Sequence, residues 1–264
     1  GWAFVVVVVL GSLGLPLSVL TFWMTRSIDS AGLLGAVLPD LLRAFGQSLS
    51  VAVPSALAAA SAREAPARAP LIALQAGHWL AAEAPDELSR LRTNGTMGGG
   101  RHEWEVTLDI AQRAATLLEA RGYRVEVLPT TVPPGYRADL FIAIHADGFH
   151  DPTASGFSVA GPRRDLTGEG ATFASILAGH YREATGLRHR VATRRMQGYY
   201  AFNSRRYHHA LDPRTPAVIL EAGFLTSPSD RTLLLGAPER AASGIALAVE
   251  RYLPFTPVVV DEGS

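Results

Sequence analysis

The chain has 264 residues, a length that suits one domain of ordinary size and an appendage. Its formal net charge is +0, so no overall electric field favours nucleic acid, and we expect no nucleic-acid partner. The count of cysteines is 0, which excludes disulfides and thiolate ligands and leaves His, Asp and Glu as the strong metal ligands.

The first 25 residues are typical of a membrane segment. From Trp2 to Met24 the side chains are apolar or small, and no charge occurs before Arg26. This length matches the roughly 20 residues that a helix needs to cross a bilayer. The alternative is a secretory signal, whose apolar region is shorter, about 7–15 residues. We therefore predict that residues 1–25 are a transmembrane anchor or a signal segment, and Gly1 in place of Met indicates a fragment or a processed form.

Residues 26–69 are predicted to contain an amphipathic helix and a linker. Large apolar residues recur at helical spacing over residues 29–50, which predicts a helix that either lies in the membrane interface or packs on the globular domain. From Val53 to Pro70 the composition changes to Ala, Ser, Arg and Pro, which is typical of a linker.

From residue 70 to residue 254, short apolar runs alternate with longer helical patterns. The apolar runs, which predict strands buried on both faces, cover residues 71–76, 124–128, 139–145, 156–160 and 217–222. The helical patterns cover about residues 103–121, 168–185 and 238–253. This alternation predicts an α/β domain with a mainly parallel sheet flanked by helices, followed by an irregular tail over residues 255–264.

Three polar side chains stand at or near the ends of predicted strands. His78 follows the first strand, His145 ends the third, and Glu221 interrupts the last. Because the carboxyl ends of parallel strands meet at one edge of an open sheet, we expect these residues to lie together. A lone histidine at the position of His78 would more often be structural, and His145 is compatible with a core histidine as well as with a site residue. Glu221 is the most unusual of the three, since a buried carboxylate without a partner is costly.

Two glutamates, Glu103 and Glu105, compete for a role at the start of the second element. Ile110 and Ala114 follow Glu103 at helical spacing, so Glu103 belongs to the buried stripe of the helix. Polar residues follow Glu105 at the same spacing, and the helix dipole favours an acidic residue there. A buried carboxylate needs a partner, and a metal ion is one. We therefore predict that Glu103 faces the site.

Together, His78, Glu103 and His145 supply two imidazoles and one carboxylate, a common donor set of catalytic zinc sites. A further carboxylate beside the bound water would carry the proton transfers of hydrolysis, and Glu221, which the strand retains for pairing or for chemistry, is a candidate. The pattern is typical of a zinc hydrolase.

The remaining histidines and a basic stretch carry less weight. His208 and His209 precede the last strand and are equally compatible with the cleft and with the surface. The basic stretch at residues 188–195 is typical of a solvated face, with attraction of an anionic substrate as the alternative. The histidines in polar surroundings, which we predict to be surface residues, are His102, His150, His180 and His189.

Four motifs in this domain carry a resemblance to a known family. They are Gly77-His78, Glu103 opening a helix with Val-x-Leu-x-Ile-Ala, Ile-His-Ala-Asp at 144–147, and Pro-Ala-Val-Ile-Leu-Glu-Ala-Gly-Phe-Leu at 216–225. Ser229-Asp230 follows the fourth motif, as in the family pattern. In this order the segments resemble the zinc-dependent N-acetylmuramoyl-L-alanine amidases of the amidase 3 type, which are cell-wall hydrolases.

The resemblance implies a function and a role for each residue of the site. Zn²⁺ would be held by His78, Glu103 and His145, with Glu221 as the catalytic carboxylate. The implied reaction is hydrolysis of the amide between N-acetylmuramic acid and L-alanine in peptidoglycan, which is then the partner of the chain. The implied location is the bacterial cell envelope. There the domain would be extracytoplasmic, membrane-anchored by the N-terminal helix or secreted if that segment is cleaved.

Two departures from the family pattern lie beside the first motif. Gln75 stands where the family usually has Asp, and Trp79-Leu80 stands where it has glycines. We expect these departures to change either the wall of the cleft or the groups that support the metal ligands. Two other functions stay open as alternatives: an inactive amidase-like module that binds peptidoglycan without cutting it, and a zinc peptidase that acts on the stem peptide.

Overall fold

The structure, a computed structural model, describes residues 68–256. The predicted membrane segment at 1–25 and the predicted amphipathic helix at 29–50 lie outside the described residues, as does the tail from residue 257. Between residues 68 and 256, no helix combines the length and the apolar character that a membrane crossing requires.

Strands and helices alternate along the described chain. The strands are β1 (Leu71–Ala76), β2 (Met97–Gly98), β3 (Arg101–His102), β4 (Arg124–Leu128), β5 (Leu140–Asp147), β6 (Ser158–Ala160) and β7 (Ala217–Phe224). The α-helices are α1 (Glu103–Glu119), α2 (Glu169–Thr185), α3 (Arg194–Gln197), α4 (Pro228–Leu234) and α5 (Pro238–Tyr252). Short 3₁₀ helices occupy Ala81–Glu83, Asp86–Thr93 and Tyr200–Phe202.

The main sheet has five strands in the order β4-β1-β5-β7-β6. The first four of these are parallel, and β6 runs antiparallel to β7 at one edge. The prediction of an α/β fold with a mainly parallel sheet is therefore confirmed. Strands β2 and β3 pair with each other and form a separate antiparallel ribbon directly before α1.

The two faces of the main sheet are covered in different ways. On one face, Ile72 and Ile142 pack in a core with residues of α1, α2 and α5. On the other face, Ala73 and Phe141 pack against Met196 and other residues of the segment between α2 and β7. Because both faces are buried, β1 and β5 consist of nearly continuous apolar runs.

A buried aspartate, Asp230 of α4, joins the segments that follow β7 and precede β6. Its Oδ2 accepts hydrogen bonds from the backbone N–H groups of Phe224 and Gly156, each at 2.9 Å. Its Oδ1 accepts a bond from the hydroxyl of Ser155 at 2.5 Å. The side chain is fully buried. Asp230 therefore holds together the loops beside the strand that carries Glu221.

We expect Asp230→Asn to lower the free energy of unfolding by about 3 kcal/mol, because the amide loses charge-assisted bonds and turns a donor toward buried N–H groups. Urea unfolding measures the loss. The matched control is Asp109→Asn, whose exposed pair with Arg113 on α1 should cost less than about 1 kcal/mol. Equal, small losses in the two variants would contradict the structural role of Asp230.

Candidate metal centre and active site

The turn after β1 brings His78 over the edge of the sheet. His78 has φ 62° and Leu80 has φ 56°, values that residues with a side chain rarely adopt. Hydrogen bonds to buried Thr130 hold this turn. The N–H of His78 donates to Thr130 Oγ1 at 3.3 Å, and the N–H of Thr130 donates to the carbonyl of Trp79 at 2.8 Å. The strained conformation thus persists because its surroundings hold it in place.

Gly77 leaves room for the imidazole of His145. A Cβ at position 77 would lie 2.6 Å from His145 Nδ1, which is closer than any real contact allows. The main chain of Gly77 is itself held, since its N–H donates to Ile144 O and its carbonyl accepts from Thr107 Oγ1, each at 2.8 Å. The Gly-His pair therefore reflects close packing between the end of β1 and the end of β5.

The first turn of α1 separates the two glutamates as the helix phase predicts. Glu105 caps the helix, because its Oε2 accepts from the N–H of His102 at 2.8 Å, and it pairs with Arg101 at 3.2 Å. Glu103 is buried, and its Oε2 accepts from the N–H of Thr96 at 2.9 Å. The other oxygen, Oε1, is left facing the histidines.

His78, Glu103 and His145 converge at this edge of the sheet. Glu103 Oε1 lies 2.9 Å from His145 Nδ1 and 3.5 Å from His78 Nε2. One ligand atom from each of the three residues lies within 4.8 Å of the others. None of the three side chains is more than 10% exposed. The group therefore has the compactness that a single metal ion requires.

The chemistry of these donors fits a divalent metal ion that accepts both nitrogen and oxygen ligands. Two imidazoles and a carboxylate oxygen face one another in a buried space. In addition, His78 Nδ1 is buried and has no hydrogen-bond partner within residues 68–256. A metal ion would compensate the charge that Glu103 brings into this space.

Burial and neighbouring charges shift the pKa values of all three residues. Burial disfavours the cation of His145, but the hydrogen bond and the charge of Glu103 outweigh it and raise the pKa of His145. Burial opposes ionisation of Glu103, yet His145 and His78 lower its pKa. Burial also lowers the pKa of His78, against the opposing charge of Glu103. The directions of these pKa shifts favour an ion pair of His145 and Glu103, and a metal ion bound here would displace the proton between them.

Glu221 lies beside this group on β7, opposite His145 in the register of β5 and β7. Burial raises the pKa of Glu221 to about 7; the charges of Glu103 and Asp147 add to the rise, and those of His145 and Arg195 oppose it. A carboxyl group with this pKa can accept and then donate a proton near neutral pH.

A groove of about 470 Å³ opens beside His78 and Glu103. Its apolar wall includes Trp79, Leu80 and Trp104. An apolar wall next to a few convergent polar groups is typical of a ligand site. Trp79 and Leu80 thus line the cleft, as expected from the sequence.

Gln75 does not line the groove and instead lies behind the metal-ligand candidates, the other of the two places expected for it. Gln75 is fully buried and lies behind His145, where it bonds to Thr130 and to Tyr199. The reason is its position inside β1, one residue before the strand ends, where both faces of the sheet are covered. Gln75 still contacts the site, because its partner Tyr199 also contacts His145.

The structure also shows where the remaining histidines and the basic stretch lie relative to the site. The N–H groups of His208 and His209 donate to Glu87, so these residues tie their loop to a 3₁₀ helix and lie outside the three-residue group. Arg195, within the basic stretch, is close enough for its charge to act on His145 and Glu221. Among the histidines predicted at the surface, His102, His150 and His189 are exposed and His180 is half-buried.

Tyr199 is a site residue that sequence reasoning missed. Its hydroxyl lies 3.2 Å from His145 Nε2, although 54 residues separate the two in the chain. In the sequence, Tyr199 is marked only by the adjacent Tyr200 and the apolar pair Ala201-Phe202 that follows. This local pattern does not indicate that its hydroxyl contacts His145.

We expect Gly77→Ala to weaken the binding of a divalent metal ion at this group at least about tenfold, because the new methyl group would displace the ring of His145. Titration of the metal against a chromophoric chelator measures the change. Gly179→Ala on α2 is the matched control, since a Cβ there meets nothing within 4 Å. Unchanged metal affinity in Gly77→Ala would show that the close approach is not required.

Comparison with solved structures finds the same fold in N-acetylmuramoyl-L-alanine amidases of known structure. The N-acetylmuramoyl-L-alanine amidase AmiC2 of Nostoc punctiforme is 20% identical with a TM-score of 0.51, over 70% of this chain and 97% of that one. The N-acetylmuramoyl-L-alanine amidase of Clostridium difficile 630 is also 20% identical with a TM-score of 0.51, over 71% and 98%. At this level of identity the likeness concerns the fold alone.

Sequence comparison identifies the family. N-acetylmuramoyl-L-alanine amidase AmiC of Neisseria meningitidis serogroup B is 36% identical over 103 residues, which are 35% of this chain and 22% of that protein. The similarity therefore spans less than a quarter of the relative's length. The family N-acetylmuramoyl-L-alanine amidase (amidase 3) matches residues 72–251. Since this match covers more than half of the chain and confirms the enzyme class predicted from its motifs, the chain belongs to the N-acetylmuramoyl-L-alanine amidase family.

Proposed function

We propose that this chain is a zinc-dependent amidase that hydrolyses the bond between N-acetylmuramic acid and L-alanine in peptidoglycan. The observation that carries the proposal is the buried group of His78, Glu103 and His145 with Glu221 beside it, in a domain of this family. The groove beside His78 and Glu103 offers room for a substrate at the same edge of the sheet.

In the proposed mechanism, His78, Glu103 and His145 would hold Zn²⁺, which when bound would act as a Lewis acid that polarises the amide carbonyl and makes water more acidic. Glu221 accepts a proton from the water whose oxygen attacks the carbonyl carbon. It then gives this proton to the amine nitrogen as the C–N bond breaks. The products are the lactyl carboxyl group and the free amine of alanine. A pKa near 7 suits Glu221 to both transfers.

We expect Glu221→Gln to lower kcat by about 10²- to 10⁴-fold, because the amide neither accepts nor returns the proton. Dye release from purified cell walls measures activity, and metal analysis after dialysis should show unchanged zinc content. Glu250→Gln, on the exposed side of α5, is the control and should keep full activity. Full activity in Glu221→Gln would remove Glu221 from the mechanism.

The same assay decides between the amidase and its alternatives. An inactive binding module would bind to the cell walls but release no dye, whether or not a chelator is present. A zinc peptidase would release dye, but its fragments would keep alanine attached to the lactyl group. Mass analysis of the fragments should instead show a free lactyl carboxyl, and its absence would overturn the amidase assignment.

We propose further that residues 1–25 anchor the chain in the cytoplasmic membrane with the amidase domain on the extracytoplasmic side, where peptidoglycan lies. The support is the uncharged apolar stretch from Trp2 to Met24. The full chain should sediment with membranes and be digested by protease added outside spheroplasts. A variant without residues 1–25 should stay in the soluble fraction, and equal membrane association of both would contradict the anchor.

A further inference from the structure

A chain of hydrogen bonds runs behind His145, on the side away from Glu103. Gln75 Nε2 donates to the carbonyl of Thr130 at 2.7 Å and to the hydroxyl of Tyr200 at 2.9 Å. The hydroxyl of Tyr199 donates to Gln75 Oε1 at 2.7 Å and lies 3.2 Å from His145 Nε2. Gln75 is fully buried, so water does not replace these partners.

The directions of these bonds follow from what each group is able to donate. The carbonyl of Thr130 only accepts, so the amide nitrogen of Gln75 faces it and the amide oxygen faces Tyr199. The amide oxygen also only accepts, so the Tyr199 hydroxyl gives its single proton to Gln75. Toward His145 the hydroxyl then offers only lone pairs. The bond between them therefore requires a proton on His145 Nε2.

We propose that Gln75, acting through Tyr199, keeps a proton on Nε2 of His145 and so makes Nδ1 the atom that binds the metal ion. Nδ1 is the nitrogen that lies 2.9 Å from Glu103 Oε1 and that closely approaches Gly77. Gln75 and Tyr199 are positioning residues, since they act on the metal through His145. The inference rests on the proposed metal site but does not depend on which bond is cut.

The geometry of the rings supports this role. The rings of Tyr199 and His145 meet edge-on, with centroids 5.4 Å apart and an angle of 78° between their planes. On its other side the imidazole meets the ring of His78 at 5.1 Å and 88°. Contacts on both sides thus hold the orientation that the hydrogen bond to Nε2 selects. Fixing the tautomer and the ring of a histidine ligand is the usual task of groups around a metal site.

Long-range ¹H–¹⁵N correlation spectra of the zinc-loaded full chain, labelled in histidine, test the assignment directly. Signals of His145 are identified by their loss in His145→Asn. We expect a protonated Nε2 and a metal-bound Nδ1 for His145 in the native chain. In Tyr199→Phe, which removes the acceptor, the dissociation constant for Zn²⁺ should rise about 10- to 100-fold. Tyr207→Phe, whose ring lies beside Tyr200 and outside the hydrogen-bonded chain, should bind Zn²⁺ as the native protein does.

Each outcome bears on the inference. Zinc bound to Nε2 of His145 would overturn it, as would native affinity and native spectra in Tyr199→Phe. A second variant, Gln75→Leu, frees the Tyr199 proton and should also weaken zinc binding; if it does not fold, Tyr199→Phe alone decides. A chain that binds no zinc would overturn both the metal site and this inference. A chain with the expected spectra that does not cleave peptidoglycan would overturn only the proposed function.

Discussion

The ionised carboxylate of Glu103, buried at the start of α1, is the constraint on which the rest of the site depends. A buried charge is stable only when donors surround it. Thr96 and Ala146 supply backbone N–H groups at 2.9 and 3.2 Å, and His145 supplies its ring nitrogen at 2.9 Å. One side chain thereby ties the start of a helix, the segment before the β2–β3 ribbon and the end of β5. The candidate ligand group forms because these elements meet around a single charge.

The pKa values of the two carboxylates of the site are shifted in opposite directions, although both side chains lie in the same environment. Glu103 is surrounded by donors, and the two histidines lower its pKa despite burial. On Glu221, burial is the largest influence and raises the pKa to about 7. Groups whose surroundings move their pKa values apart commonly divide the tasks of a site. Here the division separates a carboxylate suited to binding a cation from one suited to moving protons.

The unequal covering of the sheet shapes the site as well. On one face α1, α2 and α5 form a continuous apolar core, which fixes the strand ends that carry His145 and Glu221. On the other face an irregular segment brings Tyr199 and Tyr200 against Gln75. The departure from the family pattern at position 75 is thus matched by partners elsewhere in the chain. The candidate site combines potential metal ligands at the ends of regular elements with a hydrogen-bonded support supplied by a loop.

Much of the fold and the centre of the site could be predicted from the sequence. Runs buried on both faces predict the strands, and the helix phase distinguishes Glu103 from Glu105, because side-chain periodicity reports directly which face is buried. The β2–β3 ribbon and α3 escaped prediction, since two to four residues are too few for a period to appear.

The sequence by itself determined an α/β domain with polar residues at the ends of its strands and on the buried face of one helix. Only the tertiary structure decided that Tyr199 and Gln75 support His145, that the turn at His78 is left-handed, and that β6 is antiparallel. The physical reason is that periodicity is local. A hydrogen bond between residues 54 positions apart depends on where a loop comes to rest against the sheet.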